Sequence, residues 1–251
     1  SPRAFWAWHP RYAVASLDDD GFLRVSSGNV WARLPDITSQ FLRARGAPPA
    51  AALVGVDFQK WGGIVGSWWK IFGKLEKPVL CCTADLTIDG TEDDFLDEVE
   101  ESWGTTELVF IGDCSGLTQD YEHSPGKTSF GPFMARGWKI TPPTKKVHAK
   151  SKAPKNPPVS RSLTECNRMI GESRVWVLPA AAAMAECLAQ CDRKDSKAGP
   201  YPVGPLRHQA DGFRYVAWWV EPPRRPDAAT VARPSRLPSD WRSRATSRRA
   251  R

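Results

Sequence analysis

The sequence predicts an α+β protein: a mixed β-sheet scaffold with a few short helices, a Lys/Pro-rich exposed loop and an extended Arg-rich C-terminal tail. Three observations carry this prediction. Short β-branched and aromatic runs, bounded by Gly, Pro and Asp, recur along the chain as strands do. Residues 142–158 (PPTKKVHAKSKAPKNPP) hold five prolines, five lysines and one aliphatic side chain larger than alanine, too little apolar surface to offset the entropy of ordering. Between Pro222 and Arg251 stand nine arginines and two acids, so the whole net charge of +7 resides there. The expected organisation is a body over 1–140, a loop or linker over 141–160, a strand-helix-strand completion of the body over 161–221, and a basic tail over 222–251.

Taken in order, Tyr12–Leu17 and Phe22–Ser26 flank Asp18-Asp19-Asp20-Gly21 and predict a β-hairpin; Asn29–Leu34 extends it. Asp36 is placed to cap a short helix through Arg45, with Gly46 as its stop. Ala51–Phe58 (AALVGVDF) has the composition of a buried strand. Pro78–Ile88 (PVLCCTADLTI) predicts a strand, and Asp89-Gly90 a turn. Thr91 caps a helix whose first turn holds Asp93 and Asp94, where the positive end of the helix dipole favours acids. Phe95, Leu96, Val99 and Trp103 recur at helical spacing, Gly104 stops the helix, and Glu107–Gly112 (ELVFIG) is a second strand. Strand, helix and strand in this succession predict a β-α-β unit. Beyond the linker, Ser173–Leu178 predicts a strand. Pro179 opens a helix over Ala180–Cys191, and Phe213–Val220 (FRYVAWWV), aromatic and β-branched, predicts a final strand that Pro222-Pro223 stops.

Charge is also segregated inside the body. Thirteen acids and no Lys or Arg lie between Pro78 and Gly126, whereas residues 139–164 hold six lysines, Arg161 and no acid. Such blocks mark solvated faces or interaction segments. No apolar run approaches the about 18 residues that span a bilayer; Trp61–Phe72 is shorter and is interrupted by Gly62, Gly63, Gly66 and Lys70. No membrane insertion is therefore expected.

The motifs that suggest chemistry are incomplete. Gly126-Lys127-Thr128 suggests a phosphate loop, but that pattern needs a glycine where Tyr121 stands. Gly112–Gly116 (GDCSG) resembles the nucleophile turn of chymotrypsin-like proteases, including the viral cysteine type. The resemblance implies Cys114 as nucleophile with a preceding histidine as base; only His9 precedes it. The carboxylates of Glu92–Glu101 lie on a solvated helix face with no histidine among them. Six cysteines occur without a C-x-x-C pair. Cys187 and Cys191 share a helix face, a spacing open to metal ligation, to disulfides, or to burial as small apolar groups. No cofactor, no metal site and no catalytic residue is expected.

What remains is cationic and aromatic. The tail arginines Arg224, Arg225, Arg233, Arg236, Arg242, Arg244, Arg248, Arg249 and Arg251 are read as RNA-binding through the phosphate backbone. Lys145, Lys146, Lys150, Lys152 and Lys155 of the loop join them. Trp218, Trp219 and Trp241 are read as stacking or interface residues. The expected function is that of a non-enzymatic, RNA-contacting structural component of a large ribonucleoprotein assembly, such as a mitochondrial-type ribosomal protein, with neighbouring proteins of the assembly as further partners. The expected location is intracellular, in a mitochondrial matrix or a virion. The alternatives are a viral capsid or nucleocapsid protein with a genome-binding arm, a structural subunit of a non-RNA complex, and a cysteine hydrolase using Cys114.

Overall fold

A computed structural model describes residues 13–27, 30–59, 63–104, 106–117, 128–144, 155–194, 201–204 and 206–222. At its centre is a six-stranded mixed sheet built from β4 (Ala52–Phe58), β5 (Ile64–Lys74), β6 (Lys77–Ile88), β7 (Leu108–Gly112), β8 (Lys139–Thr141) and β9 (Val175–Val177). The spatial order is β8-β7-β4-β5-β6-β9. Strands β4, β7 and β8 run parallel, β5 is antiparallel to both β4 and β6, and β9 is parallel to β6. A smaller antiparallel sheet of β1 (Ala13–Leu17), β2 (Leu23–Ser27) and β3 (Val30–Leu34) precedes it. Leu23 and Val25 dock that sheet on Phe72, Cys81 and Trp176. A short pair, β10 (Asp192–Lys194) and β11 (Tyr201–Val203), follows late in the chain.

Six short helices lie among the described residues: α1 (Thr38–Ala44), α2 (Glu92–Trp103), α3 (Phe130–Ala135), α4 (Val159–Gly171), α5 (Ala182–Gln190) and α6 (Arg207–Val220). The architecture is α+β with a mixed sheet, as composition and pattern predict. Side chains alternate across the sheet, and both faces are covered. Leu53, Trp69, Ile71, Leu80, Val109 and Ile111 face α4, α5 and α6. Val54, Val56, Trp68 and Phe110 face Phe95, Leu96, Val99 and Phe133 of α2 and α3. The apolar run Trp61–Phe72 is thus explained from Ile64 onward: it is β5, buried on both sides, with Trp69 stacked on Phe213 at 4.9 Å and Trp68 on Trp103 at 4.1 Å.

Helix α2 shows how local chemistry sets an element. The Asp94 N–H donates to Thr91 Oγ1 at 3.3 Å, and the Thr91 N–H donates back to Asp94 Oδ2 at 2.7 Å, a reciprocal capping box. Gly104 ends the helix at φ +58, where a side chain would be strained. Arg136 covers part of the acidic face, bonding Asp97 at 2.6 Å and Asp93 at 2.9 Å. Strands β6 and β7, which flank α2, run in the same direction but are not neighbours, because β5 and β4 lie between them.

Several elements differ from the sequence reading, two helices most of all. Residues 213–220 form no strand; they are the C-terminal half of α6. Ala210, Phe213, Ala217 and Val220 recur at helical spacing and are all buried, a period that outweighs the local β-propensity of the Trp, Tyr and Val side chains. Helix α4 has no counterpart in the sequence reading, although Leu163, Cys166, Met169 and Ile170 form a buried stripe at the same period.

Candidate active site

Strands β4 and β7 are parallel neighbours in the register Val56↔Gly112. The next residue on each is an aspartate, Asp57 and Asp113, and the Asp113 N–H continues the ladder by donating to the Val56 carbonyl at 3.3 Å. By alternation both belong to the rows Leu53-Gly55-Asp57 and Val109-Ile111-Asp113, which face α4 to α6. Two carboxylates therefore stand side by side at the carboxyl ends of adjacent parallel strands. That edge is where open α/β sheets bind ligands.

Helix α6 crosses this edge at unusually close range. A Cβ on Gly55 would lie 2.4 Å from the Gly212 carbonyl oxygen, so the helix can rest there only because residue 55 lacks one. The approach sets His208 and Tyr215, seven residues apart, on the face turned to Asp57, with Asp211 one turn after His208. His208 Nδ1 lies 2.5 Å from Asp57 Oδ2, and the Tyr215 hydroxyl donates to Asp57 Oδ1 at 3.3 Å. Arg207 Nε donates to His208 Nε2 at 3.1 Å. That bond makes Nε2 the acceptor and leaves the proton on Nδ1, where it donates to Asp57. Asp211, one turn on, pairs with Arg214, whose Nε donates to the Ser162 hydroxyl of α4 at 2.8 Å.

The electrostatics are those of a site under tension. Asp57 is buried, and burial pushes its carboxyl above the ordinary range; the His208 bond opposes this, neighbouring Asp113 adds to it, and the Tyr215 bond opposes it again. Burial likewise depresses the Arg214 guanidinium, while Tyr215, Cys166, Asp57 and Asp113 pull it back. Burial raises the Tyr215 hydroxyl well above its ordinary value, and Asp57 and Asp113 raise it further. Asp113 Oδ1 accepts two bonds, from the Ser115 N–H at 2.7 Å and from Asn156 Nδ2 at 2.5 Å. Among the described residues no three His, Cys, Asp or Glu side chains converge closely enough to cage a metal ion.

The residues singled out from the sequence fall elsewhere. Lys155 is exposed and adjoins Asn156. Trp218 is buried on α6, and Trp219 packs partly buried against the main core. Lys145, Lys146, Lys150, Lys152, Trp241 and the tail arginines from Arg224 to Arg251 lie outside the described residues. Cys187 and Cys191 are buried thiols in no disulfide, with Sγ atoms near the Leu206 carbonyl at 3.4 Å and the Val203 carbonyl at 4.0 Å. Cys114 opens a short 3-10 turn, and burial together with Asp113 pushes its thiol up to about 12. A thiol so raised stays protonated at neutral pH, which removes the basis for a Cys114 hydrolase. The residue of the GDCSG stretch that stands beside Asp57 is Asp113, one position earlier. The available signal was a buried strand run ending in aspartate, present twice as VGVD and FIGD, together with a histidine and an aspartate three apart in HQAD.

No protein-family model and no curated protein matches the sequence. Solved structures do show a likeness. The large terminase of a thermophilic bacteriophage matches with a TM-score of 0.50 at 12% identity, over 66% of this chain and 39% of that one. The P22 large terminase nuclease domain matches with a TM-score of 0.46 at 12% identity, over 65% of this chain and 78% of that one. The nuclease domain of the bacteriophage SPP1 large terminase g2p, solved with bound Mn, matches with a TM-score of 0.42 at 16% identity, over 66% and 83% of the two chains. The chain thus spans about two fifths, 39%, of the length of the thermophilic phage terminase.

This likeness corrects the functional reading of the sequence. The fold is shared with a large terminase, which overturns the expected non-enzymatic, RNA-contacting component of a ribonucleoprotein with RNA and assembly proteins as partners. The ribosomal, capsid or nucleocapsid, and non-RNA structural-subunit alternatives fall with it. The error has a physical source: those readings drew on the net charge of the tail, and net charge carries no information about fold. Among the described residues no helix is long and apolar enough to cross a membrane.

Proposed function

We propose that this chain is a nuclease that hydrolyses DNA phosphodiesters with a divalent cation, as the cutting part of a DNA-packaging enzyme of the large-terminase kind. The observation that carries the reading is the pairing of Asp57 and Asp113 at the ends of two adjacent parallel strands, crossed by the helix that bears His208, Asp211 and Tyr215. A scaffold gains nothing from burying a carboxylate beside another; a site that binds a cation does. The fold likeness to a large terminase is consistent with this reading.

The donor set fits a hard cation. Magnesium is held by one or two carboxylates, waters and substrate phosphates rather than by an all-protein cage. Asp57 and Asp113 would supply the carboxylates, and the lack of a third close group among the described residues accords with that mode. When bound, the ion supplies Lewis-acid polarisation of the scissile phosphate and an acidified water. The protein's own part is orientation and exclusion of solvent. His208 and Tyr215 fix both oxygens of Asp57. Ser162 holds Arg214, which pairs with Asp211 at the rim. In this reading Lys155 and the tail arginines contact the DNA backbone and add affinity that falls with salt.

The test is cleavage of supercoiled plasmid DNA by the purified chain. Nicked and linear products should appear with magnesium or manganese and vanish with excess EDTA. Plasmid that stays intact with either metal would overturn the assignment.

A further inference from the structure

The turn after β7 is braced by a residue from the far side of the Lys/Pro-rich segment. Asn156 makes two bonds there: its Oδ1 accepts the Cys114 N–H at 2.8 Å, and its Nδ2 donates to Asp113 Oδ1 at 2.5 Å. The orientation of the amide is dictated by its partners, since a backbone N–H can only donate and a carboxylate can only accept. With the Ser115 N–H also on Oδ1, that oxygen is held from two sides. Oδ2 makes no hydrogen bond among the described residues.

Asn156 is itself tied to the other rim of the site. Pro157 and Pro158 follow it and lead into α4, where the Ser162 hydroxyl donates to the carbonyls of Pro158 at 3.1 Å and Val159 at 2.9 Å. The same hydroxyl accepts from Arg214, the partner of Asp211. One short stretch, Asn156 to Ser162, therefore touches the surroundings of two carboxylates that are far apart in sequence.

We infer that Asn156 is a positioning residue: it locks the Asp113 carboxylate by one oxygen and so presents the other to a divalent cation. The inference rests on the nuclease reading and names a residue that reading does not require. Groups that orient a ligand in this way govern metal affinity, and their loss weakens it by about 10- to 100-fold. Asn156 is exposed and belongs to no helix or strand, so truncating it removes two bonds without opening a core.

The experiment is titration of the purified chain, without DNA, with manganese chloride, followed by calorimetry or by the electron paramagnetic resonance of free Mn2+. Asn156→Ala should weaken binding tenfold or more, keep the thermal midpoint of the parent chain, and raise the metal concentration for half-maximal plasmid cleavage while leaving the KM for DNA unchanged. Thr164→Ala, on the exposed side of α4, should bind manganese as the parent does. Equal affinity in Asn156→Ala and the parent would overturn the positioning role and leave the nuclease reading standing. A parent chain that binds no manganese would overturn both.

Discussion

Asp57→Asn is expected to cut the rate of DNA cleavage by about a thousandfold, the several kcal/mol that a positioned metal ion contributes to a transition state. Stability should move the other way. Burial holds the Asp57 carboxyl above its ordinary value, so the folded chain keeps that proton more tightly than the unfolded chain does. The associated stability is fully present below the unfolded value and is lost as pH rises towards the folded one. At neutral pH the parent chain bears the cost of a buried charge beside Asp113, and asparagine does not. The variant, still able to accept from His208 or Tyr215, should melt no lower than the parent at pH 7, with the difference between the two shrinking towards pH 4. Cleavage rates and thermal midpoints of both chains check the two halves of the prediction.

Gly55→Ala is expected to damage fold and function together. The added methyl would lie 2.4 Å from the Gly212 carbonyl oxygen and 2.9 Å from both its carbon and Val216 Cγ2. Backbone atoms cannot rotate away, so α6 must shift off β4. Overpacking of this kind costs about 1–3 kcal/mol. The shift also carries His208 and Tyr215 away from Asp57, and a displacement of about 1 Å at a reacting centre can cost about a hundredfold in rate. Gly66→Ala supplies the contrast. Its methyl would lie 2.7 Å from the Phe95 ring on the opposite face of the sheet, so it should lower the melting temperature while the folded fraction keeps its cleavage rate. Equal loss of activity in both variants would separate the rate effect from the position of α6.

The legible parts of the fold are those fixed by neighbours in sequence. The Thr91–Asp94 capping box, the apolar stripe from Phe95 to Trp103 and the stop at Gly104 are all local, and α2 forms where they place it. The hairpin around Asp18–Gly21 is local too. Strand β4 was legible as a buried run, but the weight of its final aspartate was not, since Asp57 meets Asp113 only through a parallel pairing across more than fifty residues. The same distance hid the role of the GDCSG stretch, where Cys114 drew attention from Asp113. Helix α6 was misread because Phe213 to Val220 has the composition of a strand. Its period becomes persuasive only when Ala210 and Gly212 are included and Gly55 is known to lie against them. The tail arginines dominated the charge pattern, and no described residue reports on them.

The most direct measurement is diffraction from crystals soaked in manganese chloride, recorded near the manganese absorption edge. The account predicts an anomalous peak within coordination distance of carboxylate oxygens from both Asp57 and Asp113. A map with the chain well ordered, the metal bound elsewhere or nowhere, and His208 still bonded to Asp57 would contradict it.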